Sequence, residues 1–161
     1  MTLLSDQARL ATILLAEDNP AEQHLARRAL SKGVMQCDLR IVSDGEEAMD
    51  YLLRRNKYED PTAAPRPDLV LLDLNMPKLD GRQVLEQMKS DPAINTIPVV
   101  VLTTSTHEQD VVRSYELGCN SFINKPVDVH AFLEALEQLG SYWLKLVVLP
   151  PLEPPRKANS G

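Results

Sequence analysis

With 161 residues, 43% of them hydrophobic and 25% charged, the chain has the composition of one globular domain with short appendages and is too short for two full-sized catalytic domains. Its 17 lysines and arginines against 23 aspartates and glutamates give a formal charge of −6, evenly spread, which argues against nucleic-acid or anionic-membrane binding. It holds no apolar run of membrane-spanning length and no signal-peptide pattern in MTLLSDQARLATILL, and Cys37 and Cys119 stand far apart in no metal or redox spacing, so a reduced, cytoplasmic setting is expected.

Residues 12–16 (TILLA) form the first apolar run and predict a strand. Residues 21–31 carry apolar positions at helical spacing, with Gly33 placed as a C-terminal cap. A second strand is expected over 39–42 (LRIV), a second helix over 46–55, and then a longer, proline-containing connection over 56–67. The runs 68–73 (DLVLLD) and 97–102 (IPVVVL) are almost continuously apolar, as strands buried on both faces of a parallel sheet should be. Between them a helix over 82–89 is stopped by Ser90-Asp91-Pro92. A fourth helix over 108–117 with Gly118 as its cap precedes a fifth strand, 121–124 (SFIN). The last helix begins near Asp128, with Val129, Phe132, Leu133, Leu136 and Leu139 as its apolar stripe. This is a (βα)5 alternation, hence an α/β fold with helices on both faces of an open, doubly wound parallel sheet. The expected layout is an N-terminal stub over 1–9, one domain over 10–140, and an apolar then Pro-rich C-terminal extension over 141–161, disordered at its end.

Ligands of a doubly wound sheet collect at the carboxyl ends of its strands. The first strand ends in Glu17-Asp18, the third in Asp73, the fourth in Thr103-Thr104 and the fifth in Lys125-Pro126. Carboxylates gathered on one rim repel one another, and burial raises the cost, so a cation is needed to hold them ionised. An all-oxygen set without Cys or His suits Mg²⁺ before Zn²⁺. Lys125 offers a point charge for a phosphoryl oxygen and Thr103 a hydroxyl donor. Taken singly, Asp18, Asp73 and Lys125 could be helix caps or surface ion pairs; together they read as a site. No GxxxxGKS/T loop, GxGxxG turn or GxSxG elbow is present, and no Ser-His-Asp or Cys-His arrangement is credible. His24 and His130, in helical segments, read as surface residues; His107 follows the Thr103 loop, where it could lie near the rim, though the surface is the better reading. A carboxylate beside Mg²⁺ without a nucleotide cradle points to a phosphoryl group that arrives already activated on a partner.

The stretches LLAEDNP, VLLDLNMPKLDG, PVVVLTTS and FINKPVD, in this order and spacing, resemble the receiver domain of two-component response regulators over about residues 10–140. The resemblance implies a flavodoxin-like sheet in the order 2-1-3-4-5 and a stand-alone signalling module phosphorylated by a sensor histidine kinase, with slow self-dephosphorylation and no output enzyme. It implies Asp73 as phosphoacceptor, Mg²⁺ held by Glu17, Asp18, Asp73 and the backbone carbonyl of Asn75, and Thr103 and Lys125 on the phosphoryl oxygens. Glu17 stands where many members have Asp and is expected to act through a water on the metal. Thr103 and Phe122 would be the switch pair, acting on the face built from the fourth helix, the fifth strand and the last helix, and the Lys125-Pro126 bond would be cis. Apart from the resemblance, Phe122 could be a core aromatic, Tyr115 reads as helix packing, Met76 and Pro77 shape the loop after Asp73, and Asp80-Gly81 reads as a turn and helix start.

The tail GSYWLKLVVLPPLEPPRKANSG is too apolar at Tyr142, Trp143, Leu146, Val147, Val148 and Leu149 for a solvated helix end. These residues either fold back on their own domain or meet another chain. YWLKLVVLP, with the long second connection, resembles the small single-domain regulators that partner phytochrome-type sensor kinases. That resemblance implies a phytochrome-type partner and a homodimer made by the switch face and the extension. The alternative function is a Mg²⁺-dependent aspartyl-phosphate hydrolase of the haloacid-dehalogenase type. Such an enzyme typically wants a second acid two residues after the nucleophile, where Asn75 stands, and a nucleophile after its first strand.

Overall fold

The alternation of apolar runs and helical segments is realised as one parallel sheet of five strands in the order β2-β1-β3-β4-β5. The computed structural model describes residues 10–31, 36–104, 107, 118–140 and 143–144. Within them lie β1 (Ala11–Ala16), α1 (Pro20–Leu30), β2 (Cys37–Val42), α2 (Gly45–Leu53), β3 (Leu69–Asp73), α3 (Gly81–Ser90), β4 (Val99–Thr103), β5 (Ser121–Asn124) and α4 (Val129–Leu139). The expected helix over 108–117, the Gly33 cap, Tyr115, the stub over 1–9 and the tail apart from Trp143 and Leu144 lie outside the described residues. None of the helices among the described residues is long and apolar enough to cross a membrane.

Every residue of β1, β3 and β4 is buried, and alternate side chains feed two cores. On one face Leu14, Val70, Leu72, Val99 and Val101 pack with Met49 and Leu52 of α2 and Val84, Leu85 and Met88 of α3. On the other, Ile13, Leu15, Leu71, Val100 and Ile123 pack with Leu30 of α1 and Phe132, Ala135 and Leu136 of α4. Trp143, 8% exposed, joins this second core, with Leu144 half-buried beside it. Of the two fates open to the apolar tail, Trp143 therefore takes the intramolecular one.

Each helix is started by a side chain that accepts the first free N–H groups: Asn19, Asp44, Asp80 and Asp128. Asp80 and Gln83 complete a capping box. β2 begins two residues before the expected start, because pairing with β1 runs from Ala11 opposite Cys37. β4 begins at Val99 because Pro98 has no N–H to give a ladder; its carbonyl accepts from Val70 instead. The 56–67 connection is tied down along its length. It holds a 3₁₀ turn at Asn56–Tyr58, the Tyr51 hydroxyl donates to the Pro65 carbonyl at 2.8 Å, and Arg54 Nε donates to Ala64 at 3.1 Å. Arg66 anchors its end on the Ala93 carbonyl at 2.7 Å and Thr96 Oγ1 at 3.1 Å.

The order of strands reverses between β1 and β3, which places a crevice at their carboxyl ends. Register aligns the rim: Ala16 stands opposite Leu72, Asp73 opposite Leu102, and Thr103 opposite Asn124. The residues that follow or end these strands are the ones singled out by their chemistry.

Candidate functional site

Glu17 follows β1 directly, its N–H donating to the Val42 carbonyl at 3.0 Å, and its side chain is 1% exposed. Its Oε2 accepts the Asn19 N–H at 3.1 Å, so the loop into α1 wraps around the carboxylate. Asp73, the last residue of β3, is 2% exposed, and its Oδ1 accepts the Asn75 N–H at 3.1 Å. Asp18 is exposed at the mouth. One oxygen from each of Glu17, Asp18 and Asp73 fits within a 4.8 Å cluster.

Lys125 reaches across from the end of β5, its Nζ 2.9 Å from Glu17 Oε1 and 3.2 Å from Asp73 Oδ2. Its backbone N–H donates to the Thr103 carbonyl at 3.0 Å, and its bond to Pro126 is cis, as the resemblance implies. Thr103 is buried at the end of β4. The helix behind the site starts very close: a Cβ on Gly81 would lie 2.1 Å from the Asp73 carbonyl oxygen, so only glycine lets α3 begin against that strand end. Lys78, in the loop after Asp73, pairs with Asp44 at 3.6 Å and so joins the loops after β3 and β2.

Burial pushes the Glu17 carboxyl up to about 7; the Lys125 ammonium and the Asn19 N–H hold it down, and the charge of Asp73 adds to the rise. Burial would lower Lys125, but the two carboxylates beside it hold its ammonium above the ordinary lysine value. Glu17 Oε1 is buried without a hydrogen bond, its approach to Lys125 being an ion pair that lacks hydrogen-bond geometry. Glu17 and Asp73 thus share one ammonium, and an oxygen of exposed Asp18 comes within 4.8 Å of theirs. Hard oxygen donors gathered this way fit a small divalent cation such as Mg²⁺.

The structure brings Glu17, Asp18, Asp73, Thr103 and Lys125 to one rim, as expected. Asn75 is exposed beside it, with its N–H on Asp73. Phe122 is half-buried, opposite Val101 in the β4–β5 ladder and packed against the core that α2 and α3 cover. His24, His107 and His130 are exposed, and His130 lies 3.7 Å from Glu134. The cysteines carry free thiols, and burial raises that of Cys37 to about 11, which keeps it protonated. Sequence reading missed Gln23, whose Nε2 donates to the Glu17 carbonyl at 2.6 Å and to Ser43 Oγ at 3.2 Å. It also missed Glu47, which accepts from the Tyr58 hydroxyl at 2.6 Å and pairs with Lys57 at 3.1 Å. Neither belongs to a motif; the only signal is a polar residue on the first turns of a helix beside the rim.

Residues 13–137 match the family model described as the response regulator receiver domain. Among curated proteins, the chain is similar to response regulator Rcp1 of Synechocystis sp., 43% identical over 138 residues that make up 86% of this chain and 92% of that protein. Among solved structures, it resembles the bacteriophytochrome response regulator RtBRR with a TM-score of 0.79 and 38% identity, over 91% of this chain and 86% of that one. It also resembles the Mn²⁺-bound form of response regulator Rcp1, with a TM-score of 0.67 and 42% identity, over 87% of this chain and 99% of that one.

Proposed function

This chain belongs to the response regulator receiver domain family, and from that premise we propose that Asp73 accepts a phosphoryl group from a phytochrome-type sensor histidine kinase. A receiver takes its phosphoryl group from a histidine kinase; the phytochrome class is inferred from the names of the relatives, a bacteriophytochrome response regulator among them. The observation that carries the reading is the clustering of Glu17, Asp18 and Asp73 oxygens within 4.8 Å, with Lys125 against the second Asp73 oxygen. The dehalogenase-type hydrolase has no such support: the family match is to receivers, Asp73 ends the third strand, and Asn75 stands where its second acid would be.

In the transfer, an Asp73 carboxylate oxygen attacks phosphorus as the bond to the kinase imidazole breaks. The electron pair returns to the ring nitrogen, and Asp73 becomes an acyl phosphate. Glu17, Asp18, Asp73 and the Asn75 carbonyl would hold Mg²⁺, which would supply the positive charge that lets an anionic phosphoryl group approach these carboxylates. Lys125 exchanges part of its pairing with Glu17 and Asp73 for the new phosphoryl oxygens, and the Thr103 hydroxyl donates to another. Movement of Thr103 toward the phosphate leaves room into which half-buried Phe122 turns, biasing the adjoining face toward a second packing. That face and the C-terminal extension form a homodimer, and the receiver unit spans residues 10–140 in a cytoplasmic protein.

Incubating the chain with a phytochrome-type kinase autophosphorylated from labelled ATP tests the reading. Wild type should take up label stoichiometrically and only with Mg²⁺, and Asp73→Asn should take up none. Equal labelling of Asp73→Asn, or repeated turnover of a phosphomonoester, would overturn it.

A further inference from the structure

We infer that Gln23 is a positioning residue for the cation site: its side-chain amide fixes the main chain that carries Glu17 and Asp18, and so sets the carboxylate spacing on which metal binding depends. The inference rests on the reading of that rim as the Mg²⁺ and phosphoryl site.

The geometry is specific. The Glu17 N–H is held by the last residue of β2, Val42, at 3.0 Å. The Glu17 carbonyl is taken by Gln23 Nε2 at 2.6 Å, from the first turns of α1. The peptide unit between Glu17 and Asp18 therefore cannot swing without breaking the Gln23 bond, and both acidic side chains leave the chain on either side of it. Gln23 itself is half-buried and does not slide, because its own N–H donates to the Asn19 carbonyl at 2.9 Å within the helix cap. The second hydrogen of the same amide goes to Ser43 Oγ at 3.2 Å. Ser43 opens the loop into α2, where its N–H donates to Glu47 Oε1 at 2.9 Å and the next residue, Asp44, pairs with Lys78 beyond Asp73. One amide thus fastens the loop that bears two of the carboxylates to a loop that is clasped to the third. Groups one step behind metal ligands act this way: they touch no ion, but they fix where the ligands stand.

Gln23→Leu keeps the size of the side chain and removes both donors. Gln23→Glu keeps the shape, puts an acceptor against the Glu17 carbonyl, and adds a negative charge near the site. Electrostatic attraction alone would make Gln23→Glu bind a cation more tightly than wild type; positioning by donation makes it bind less tightly. Mn²⁺ affinity is read from the free-ion electron paramagnetic resonance signal of the intact chain, with circular dichroism and thermal unfolding as checks on folding. Asp18→Asn serves as the control for the site itself. The expected result is a loss on the order of tenfold in Mn²⁺ affinity for both Gln23 variants, with a wild-type fold. Ser43→Ala, which spares the Glu17 carbonyl bond, should lose less.

Wild-type Mn²⁺ affinity in Gln23→Leu, alongside lost affinity in Asp18→Asn, would overturn the role of Gln23 while leaving the site intact. Tighter binding by Gln23→Glu would overturn it as well. Unchanged binding by Asp18→Asn would instead overturn the reading of the site, and the inference with it.

Discussion

Lys125 Nζ stands 2.9 Å from Glu17 Oε1, closer than the 3.2 Å that separates it from Asp73 Oδ2, so its nearest carboxylate is Glu17 and not the acceptor. Both ends of the pair are sequestered, with side chains 12% and 1% exposed. Removing one partner of a buried pair leaves the other charged and unsolvated, which costs more than the pair contributes in net terms. Lys125→Met should therefore destabilise the metal-free protein at pH 8 by about 3 kcal/mol in urea unfolding. Glu17→Gln in the same chain should recover much of that loss, because it removes the stranded charge. Equal losses in the single and double variants would show that Lys125 acts through Asp73 alone.

The raised carboxyl of Glu17 makes both stability and metal binding depend on pH, with opposite signs. Its value is about 7 in the folded chain against an ordinary 4.5, so between those limits the folded state holds the extra proton. Metal-free stability should fall as pH rises from about 4.5 to 7, by up to about 1.4 kcal/mol per unit, and level off above. Cation binding needs Glu17 ionised, so Mg²⁺ affinity should fall as pH drops below about 7, by up to about tenfold per unit. Titration calorimetry at pH 5.5, 6.5 and 7.5 measures this. An affinity that is constant across the three would mean that Glu17 is already ionised throughout.

How much of this was legible in the chain depended on whether a feature leaves a pattern. β3 and β4 announce themselves because strands buried on both faces must be apolar at every position. β2 is an edge strand, and its start was hidden by Asp38 and Arg40, which satisfy each other at 3.0 Å on the exposed side. Glu17, Asp73, Thr103 and Lys125 were found because a parallel sheet delivers strand ends to one rim, so position alone marks them. Gln23 was not, since a side-chain bond to a backbone carbonyl demands only one amide at one place and repeats nowhere. The burial of Trp143 is not legible in the sequence, because an apolar segment reads alike whether its own domain or another chain covers it.

Trp143 supplies a prediction that separates those two destinations. The chain leaves α4 through Gly140, whose φ of +115° lies in the region that favours glycine. The Trp143 N–H donates to the Gly140 carbonyl at 3.0 Å, and its side chain belongs to the core that holds Val127, Phe132 and Leu136. Replacing a buried tryptophan by alanine removes its apolar contacts and leaves a cavity, so Trp143→Ala should cost about 3 kcal/mol in urea unfolding. A contact made within one chain contributes equally at every protein concentration, whereas a contact between chains fades on dilution. The loss should therefore be the same at low and high protein concentration, even if the extension also joins two copies. A loss that vanishes on dilution would place the indole between chains and remove it from the core of its own domain.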